Sequence, residues 1–506
     1  MQNKQLEDYY KKINESSVYD VAIETPLLPM QNLSLVCNNE VLIKREDLQP
    51  IFSFKLRGAY NKISQLTKDE LKSGIIASSA GNHAQGVAYS AKKLGIKATI
   101  VMPNTTPPIK VKSVISYGAK TVLFGDMYDD AYMHAQELAK KEGLTFIHPY
   151  DDEAVIAGQG TVGLELLKQA PDMDIIFVPV GGGGLLAGIL AAIKYKNPKI
   201  KVVGVEPENA ACLFAALNAK ERVILKQVGI FADGVAVKQI GELPFKVIKE
   251  FIDDVVLVST DEICAAIKDI FENSRTIAEP AGALSLAGLK KYADEQSLND
   301  KKLVCINSGA NINFDRLRHI AERADVGEQK EAIYSITIPE EKGGFLKFCT
   351  FIKKRSITEF NYRYCDDSMA HLFVGIGLDN GIDDKLAFER NLDEQGYDYT
   401  DLTDNELAKL HIRHMIGGKP KVLTDEKVYR FQFPERPGAL MEFLKTMGDR
   451  WNISMFHYRN HGSAYGRVFV GIQLPIGETT EFSEFLEKLN YSYFDESKNQ
   501  AYLQFL

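Results

Sequence analysis

Four short segments carry residue types whose spacing could do chemistry. In Ser53-Phe54-Lys55-Leu56-Arg57-Gly58-Ala59, Lys55 stands between two apolar side chains, just after Pro50-Ile51-Phe52, a stretch that reads as buried. Desolvation disfavours a lysine's charge, so a lysine among apolar groups is a candidate Schiff-base nucleophile or proton-abstracting base. Ser78-Ser79-Ala80-Gly81-Asn82-His83 follows the strand-like residues 74–77 and opens a helical pattern. Small residues there admit a ligand close to the backbone, and helix-start N–H groups favour an anion such as a carboxylate. Gly181-Gly182-Gly183-Gly184-Leu185 follows Val178-Pro179-Val180 and again opens a helix, in the manner of a phosphate cradle. Asn307-Ser308-Gly309-Ala310-Asn311 follows an apolar run, so Ser308 stands at a strand's carboxyl end, where sheet crevices take ligands.

Each segment has a plainer reading. Most lysines are surface cations, and each of the other three could be a tight turn. Gly182, Gly184 and Ala187 also satisfy a G-x-G-x-x-A dinucleotide pattern, with Glu206 closing the next strand. An NAD-linked oxidoreductase built on that match leaves Lys55, Asn82 and Ser308 without a role. The run also lacks the Gly-Lys-Ser/Thr ending of a nucleotide P-loop.

The elements that must position these segments alternate strand and helix. Short apolar runs (97–102, 120–124, 175–180, 200–205) are separated by helical patterns such as 108–117 and 185–194. Continuous apolar strands between helices indicate parallel sheets covered on both faces, in an α/β architecture of two lobes and a cleft. Past Phe314 the character changes. Residues 322–331 are polar and read as a linker, which divides the chain into an α/β domain at 1–322, a linker at 323–332, and two further domains at 333–420 and 425–506. Those last two are an internal repeat. Pro339-Glu340…Gly343 matches Pro434-Glu435…Gly438, Tyr362-Arg363 matches Tyr458-Arg459, and Phe373-Val374-Gly375-Ile376 matches Phe469-Val470-Gly471-Ile472. Each copy reads as a ferredoxin-like βαββαβ unit.

Composition narrows the function classes. A net charge of -8 argues against a nucleic-acid surface, and 45% hydrophobic with 25% charged residues is ordinary globular composition. No apolar stretch is long enough for a membrane span, and the charged N-terminus lacks a signal-peptide core. Six cysteines scattered without paired short spacing suit reduced, mostly buried thiols of a cytoplasmic protein.

Together the four motifs resemble the fold-type II pyridoxal-phosphate enzymes, and within them the threonine and serine dehydratases. The repeated C-terminal part is similar to the paired ACT-like regulatory domains of the long biosynthetic threonine dehydratases. The resemblance implies pyridoxal 5'-phosphate as cofactor and conversion of L-threonine to 2-oxobutanoate and ammonia. It implies that Lys55 binds the cofactor covalently and moves the α-proton, Phe54 packs on its ring, and Asn82 bonds its phenolic oxygen. Gly181, Gly182, Gly183, Gly184 and Leu185 would bind the phosphate, and Ser308 would face the pyridine nitrogen. Ser79, Ala80, Gly81 and His83 would form the loop receiving the substrate carboxylate. Segments Glu279-Pro280-Ala281-Gly282 and Asp233-Gly234 match family segments near the cofactor.

Two departures bear on substrate and metal. Where serine racemases carry a second serine before Gly-Asn-His, this chain has Ala80, which removes the acid for the opposite face. The cation site of racemase-type relatives uses a Glu-Pro segment and an acidic residue six positions on; here Glu206-Pro207 is followed by Cys212, so no metal is expected. The resemblance further implies isoleucine as feedback inhibitor, valine as its antagonist, and a homotetramer. Tyr362 and Tyr458, at equivalent repeat positions with polar neighbours, are the candidate effector contacts. A serine dehydratase or racemase, and a non-catalytic amino-acid sensor, are the other readings; the intact Lys55 opposes the last.

Overall fold

The computed structural model describes residues 2–339, 348, 351–352, 355, 357–364, 369–414, 425–434, 436, 439–448, 450–459 and 465–506. The chain divides into two units, Met1–Phe314 and Asp315–Leu506.

In the first unit the strands are β1 (Leu27–Pro29), β2 (Glu40–Arg45), β3 (Ile75–Ser78), β4 (Ala98–Met102), β5 (Lys120–Leu123), β6 (Thr145–Phe146), β7 (Ile175–Pro179), β8 (Lys201–Pro207), β9 (Asp254–Val258) and β10 (Lys302–Asn307). They form a six-stranded sheet in the order β1-β2-β10-β7-β8-β9 and a four-stranded sheet in the order β5-β4-β3-β6. Apart from the antiparallel edge strand β1, all pairings are parallel. β7 is buried along its whole length, as a strand with helices on both faces must be, which is why it reads as an uninterrupted apolar run.

The connectivity decides where the motifs meet. The chain leaves the large sheet after β2, builds the small sheet, and returns at β7. The late strand β10 then pairs with β2 in register, Arg45 opposite Asn307. Segments that follow β2 and β10 therefore emerge side by side, although some 250 residues separate them in sequence.

The second unit opens with the helix Arg316–Gly327, followed at once by β11 (Glu331–Pro339). The polar stretch read as a linker is thus helix and strand, with only residues 328–330 between, and the units part ahead of residue 322. The reason is that the helix buries charge. Arg323 and His319 lie on its inner face beside Ile320 and Ala324, and Arg323 chelates Glu406 at 3.0 and 2.5 Å. Paired charges on a buried face hide the apolar periodicity that marks a helix in sequence.

The repeat appears as two sheets of one design. β12 (Ile357–Tyr364), β13 (Met369–Gly377) and β14 (Asp398–Asp401) join β11 in the order β12-β13-β11-β14. β15 (Glu426–Pro434), β16 (Asn452–Arg459), β17 (Tyr465–Gln473) and β18 (Ser492–Asp495) repeat it as β16-β17-β15-β18. Register shifts fall at equivalent places, Ile357/Glu359 and Ile453/Met455. Each copy ties a glutamate at the head of its first strand to a hydroxyl on its second, Glu331 with Thr358 and Glu426 with Ser454. Ile333 and Phe373 of one copy share a core with Val428 and Phe469 of the other, and the equivalent caps Asn405 and Asn499 hydrogen-bond each other at 3.0 Å. Of the residues that mark the repeat, Glu340, Gly343, Glu435 and Gly438 lie outside those described, as does the boundary at 420.

Candidate active site

All four motifs sit at the carboxyl ends of parallel strands. Ser53 to Lys55 follow β2, Ser79 to His83 follow β3, Gly181 to Leu185 follow β7, and Ser308 follows β10. This is where open α/β sheets form ligand crevices. A bridge joins Ser53 to Gly309, and the Ser308 carbonyl accepts from the Phe54 N–H at 3.3 Å and from Ser53 Oγ at 3.2 Å. The lysine motif and the serine motif are one structure.

Lys55 opens the helix Lys55–Ser64. Its Nζ donates to the Pro149 carbonyl at 3.1 Å and lies 5.3 Å from the centre of the Phe54 ring. Burial lowers its pKa from the usual lysine value to about 8, and the Glu279 carboxylate opposes that shift only in part. Of Pro50, Ile51 and Phe52 only Ile51 is fully buried. Phe52 is 56% exposed, contrary to the reading of that stretch. Its φ of 58° is the reason: a left-handed bulky residue, held by a 2.7 Å bond from its N–H to the Gln49 carbonyl, swings its ring outward.

The helix is fixed from below by Arg57, which is wholly buried. Its guanidinium bonds Glu46 at 2.8 Å through both Nε and Nη2, and reaches Glu165 at 2.6 Å through Nη1. Lys44 Nζ reaches the other oxygen of Glu165 at 2.5 Å. Two buried cations thus meet two buried carboxylates, the arrangement that makes interior charge tolerable. Gly58 allows the helix to press on Glu153–Gln169, since a Cβ there would stand 2.8 Å from Val155.

The glycine run is packed from beneath on every residue. A Cβ at Gly181 would stand 2.9 Å from Val235, one at Gly182 would enter the Tyr150 ring, and one at Gly184 would stand 2.7 Å from Gln159 Oε1. Gly183, at φ 87°, turns the chain into the helix Gly184–Lys196 in a conformation that side chains resist. The first-turn N–H groups of that helix, with Leu185 among them, have no carbonyl of their own helix to bond. Gln159 beneath them is buried with neither amide atom partnered, as is Asn307 beside Ser308.

Asn82 starts the helix Asn82–Leu94 and donates through Nδ2 to Glu279 at 2.5 Å, while its Oδ1 accepts from Asn311 at 2.7 Å. One Nδ2 hydrogen remains for a ligand. Ser308 Oγ, buried, donates to the Ala281 carbonyl at 3.1 Å. Ser79, Ala80 and Gly81 are partly exposed, and nothing lies within 4 Å of where a Gly81 Cβ would stand. His83 differs from its neighbours. Its ring is buried against the Ile147 carbonyl at 2.9 Å, with a pKa lowered to about 3 by burial, so only its backbone can face the loop.

A desolvated amine, a glycine cradle that side chains would fill, a helix start facing each lobe and a buried hydroxyl fit pyridoxal phosphate. Sequence reasoning passed over Glu46, Glu165, Tyr150, Gln159 and Asn311. The paired glycines around Gln159 were the one available signal. Glu206, at the racemase-type cation position, accepts from the Leu213 and Phe214 N–H groups, both at 2.8 Å; burial raises its pKa to about 7. Its oxygens cap the helix Cys212–Ala219.

Backbone register places Tyr362 opposite Leu372 and Tyr458 opposite Val468, equivalent positions of the two copies; their side chains lie outside those described.

Residues 18–309 match the family model of pyridoxal-phosphate dependent enzymes, and 322–412 and 418–506 each match the C-terminal regulatory domain of threonine dehydratase. The chain is 50% identical to the biosynthetic L-threonine dehydratase of Burkholderia multivorans over 99% of both chains. It is 49% identical to that of Escherichia coli K12, over 99% of this chain and 97% of the relative. The structure of the processed form of threonine deaminase isoform 2 from Solanum lycopersicum superposes with a TM-score of 0.63 at 47% identity, covering 63% of this chain and 94% of that one. With its pyridoxal-phosphate fold and its doubled regulatory module, the chain belongs to the biosynthetic threonine dehydratase family.

Proposed function

We propose that this protein converts L-threonine to 2-oxobutanoate and ammonia, the first step of isoleucine synthesis, and also acts on L-serine. The observation that carries the reading is the desolvated Lys55 amine, set among an anion-binding helix start, a glycine cradle and the Ser308 hydroxyl. Pyridoxal phosphate, when bound, supplies the electron sink that makes the substrate α-proton acidic. Lys55 Nζ holds the cofactor and takes that proton, and its pKa near 8 keeps a useful share of neutral amine close to neutral pH. The N–H groups of Gly181 to Leu185 hold the phosphate. Asn82 directs its remaining Nδ2 hydrogen to the phenolic oxygen, and Phe54 supports the ring. Ser308 offers the ring nitrogen a hydroxyl, which does not enforce protonation as a carboxylate would, and so favours elimination over transamination. Ser79, Ala80, Gly81 and the backbone of His83 receive the substrate carboxylate.

The doubled regulatory module supports feedback control, with isoleucine as inhibitor, valine as antagonist, and Tyr362 and Tyr458 as contacts. A cytoplasmic homotetramer is the expected form; among the described residues no helix is long and apolar enough to cross a membrane. Purified protein should show the visible absorbance of lysine-bound cofactor and release 2-oxobutanoate from threonine. With L-serine it should yield pyruvate and almost no D-serine, because Ala80 offers no proton. Substantial D-serine would replace this reading with a racemase.

A further inference from the structure

The two regulatory copies meet on one face of each sheet, and at the rim of that shared core they differ. Strand residues two apart share a face. Arg467 therefore lies on the same face as Phe469, and its cross-strand partner Gln432 on the same face as Arg430 and Val428. In the first copy the equivalent pair is His371 opposite Thr337, 96 and 95 residues earlier, and those side chains satisfy each other, Thr337 Oγ1 to His371 Nδ1 at 3.1 Å. In the second copy the pair does not close. Arg467 has no hydrogen-bond or ion-pair partner among the described residues.

Its surroundings make this costly. Arg467 is partly buried, and it lies within electrostatic reach of Arg430, Arg323 and Arg316, with Glu406 as the one attracting carboxylate among its strongest influences. Burial, reinforced by these like charges, lowers its pKa to about 10. Neither neighbouring carboxylate has charge to spare. Glu406 is chelated by Arg323 and bonded by Lys409 at 2.9 Å. Glu496 takes Arg430 Nε at 3.0 Å and Asn499 Nδ2 at 2.8 Å, while the Arg430 guanidinium rests on the Phe494 ring at 4.5 Å. A planar fork of donors, partly desolvated and ringed by cations, is matched by a planar or tetrahedral oxyanion.

We infer that Arg467, flanked by Arg430 and Gln432, is an oxyanion-binding centre unique to the second regulatory copy, built for a carboxylate or phosphate group. The first copy, with its hydrogen-bonded His371–Thr337 pair, has no counterpart, so the duplicated module carries one such centre and not two.

The test uses full-length, cofactor-loaded protein, so that the phosphate cradle is already filled. Inorganic phosphate is titrated against chloride at constant ionic strength, with calorimetry and the thermal midpoint as readouts. Wild type should bind one phosphate per chain saturably, and Arg467→Gln should weaken binding at least tenfold. Arg436→Gln, an arginine paired with Glu442 elsewhere in the copy, should not. Gln432→Glu places a carboxylate opposite Arg467; it should raise the midpoint without phosphate and abolish the phosphate response. The same variants titrated with L-isoleucine distinguish the sources. Parallel weakening, with phosphate competing, identifies an amino-acid carboxylate as occupant; unchanged isoleucine response with lost phosphate binding identifies a free anion. Identical phosphate and isoleucine responses in wild type, Arg467→Gln and Gln432→Glu, or no phosphate binding to wild type, would overturn the inference.

Discussion

The catalytic and regulatory units handle interior charge in opposite ways. Beneath the active site, Arg57, Lys44, Glu46 and Glu165 form a closed set in which each buried charge has its counter-charge at 2.5–2.8 Å. Above that base stands Lys55, a buried amine whose desolvation the Glu279 carboxylate offsets only in part. In the regulatory unit the duplicated design is kept, yet the polar positions have diverged. Glu331 is held by Thr358 and Arg413, whereas Glu426 is held by Ser454 and Tyr502. Catalysis needs a fixed geometry in which one pKa is shifted. Regulation needs two similar halves that respond unequally to a ligand, since an effector acts only through differential affinity for two states.

The largest effect is expected at Lys55. Lys55→Ala should reduce threonine turnover by at least about a thousandfold, the upper range for loss of a positioned base, and remove the visible cofactor absorbance. Circular dichroism should be unchanged, and residual 2-oxobutanoate formation near the wild-type rate would refute the assignment. Next in size is the charge base. Arg57→Leu leaves Glu46 and Glu165 buried without their main partner and should destabilise the protein by about 3–5 kcal/mol in urea unfolding. The exposed regulatory pair Arg436–Glu442 should cost less than about 1 kcal/mol when Arg436 becomes Ala. Comparable losses in the two variants would erase the distinction drawn between the units.

Regulation should separate from catalysis at the unit boundary. Protein ending at Phe314 should keep threonine turnover within a few-fold and ignore isoleucine. In the full chain, Tyr362→Ala and Tyr458→Ala should weaken isoleucine inhibition by about 5- to 150-fold, the usual range of coupling. Inhibition constants measured side by side decide it, and equal sensitivity in the fragment would move the effector to the catalytic cleft.

A further effect is a pH dependence rooted in the catalytic unit. His83 and His148 are pushed down to about 3 and about 4 by burial, below the usual histidine value. The unfolded chain then binds more protons than the folded one between these values and about 6.5, so stability is complete above about pH 6.5 and falls with acid. The slope at its steepest should be roughly 1.4 kcal/mol per pH unit for each histidine. Substituting His83 by Asn should flatten the unfolding free energy measured between pH 4 and 6.5.

Local pattern alone fixed a good deal of this protein. Uninterrupted apolar runs such as 175–180 specified covered parallel strands, glycines at 181–184 marked a backbone that must approach a ligand, and the matched blocks near Tyr362 and Tyr458 announced a duplication. These are properties of neighbouring residues, so they survive in a linear string. What the string could not hold is pairing across distance. That β2 lies beside β10 put Ser308 against Phe54. That Asn82 takes Glu279 and Asn311, and that Arg57 takes Glu46 and Glu165, follows from the same folding-back of the chain. The polar stretch at 322–331 misled for the same reason: Arg323 within it is buried against Glu406, 83 residues away, and a charge looks solvated until its counter-charge is seen. Arg467 and His371 occupy equivalent places in the repeat, yet only tertiary packing distinguished a satisfied side chain from an unsatisfied one, because a hydrogen bond is a relation between strands and not a property of either residue.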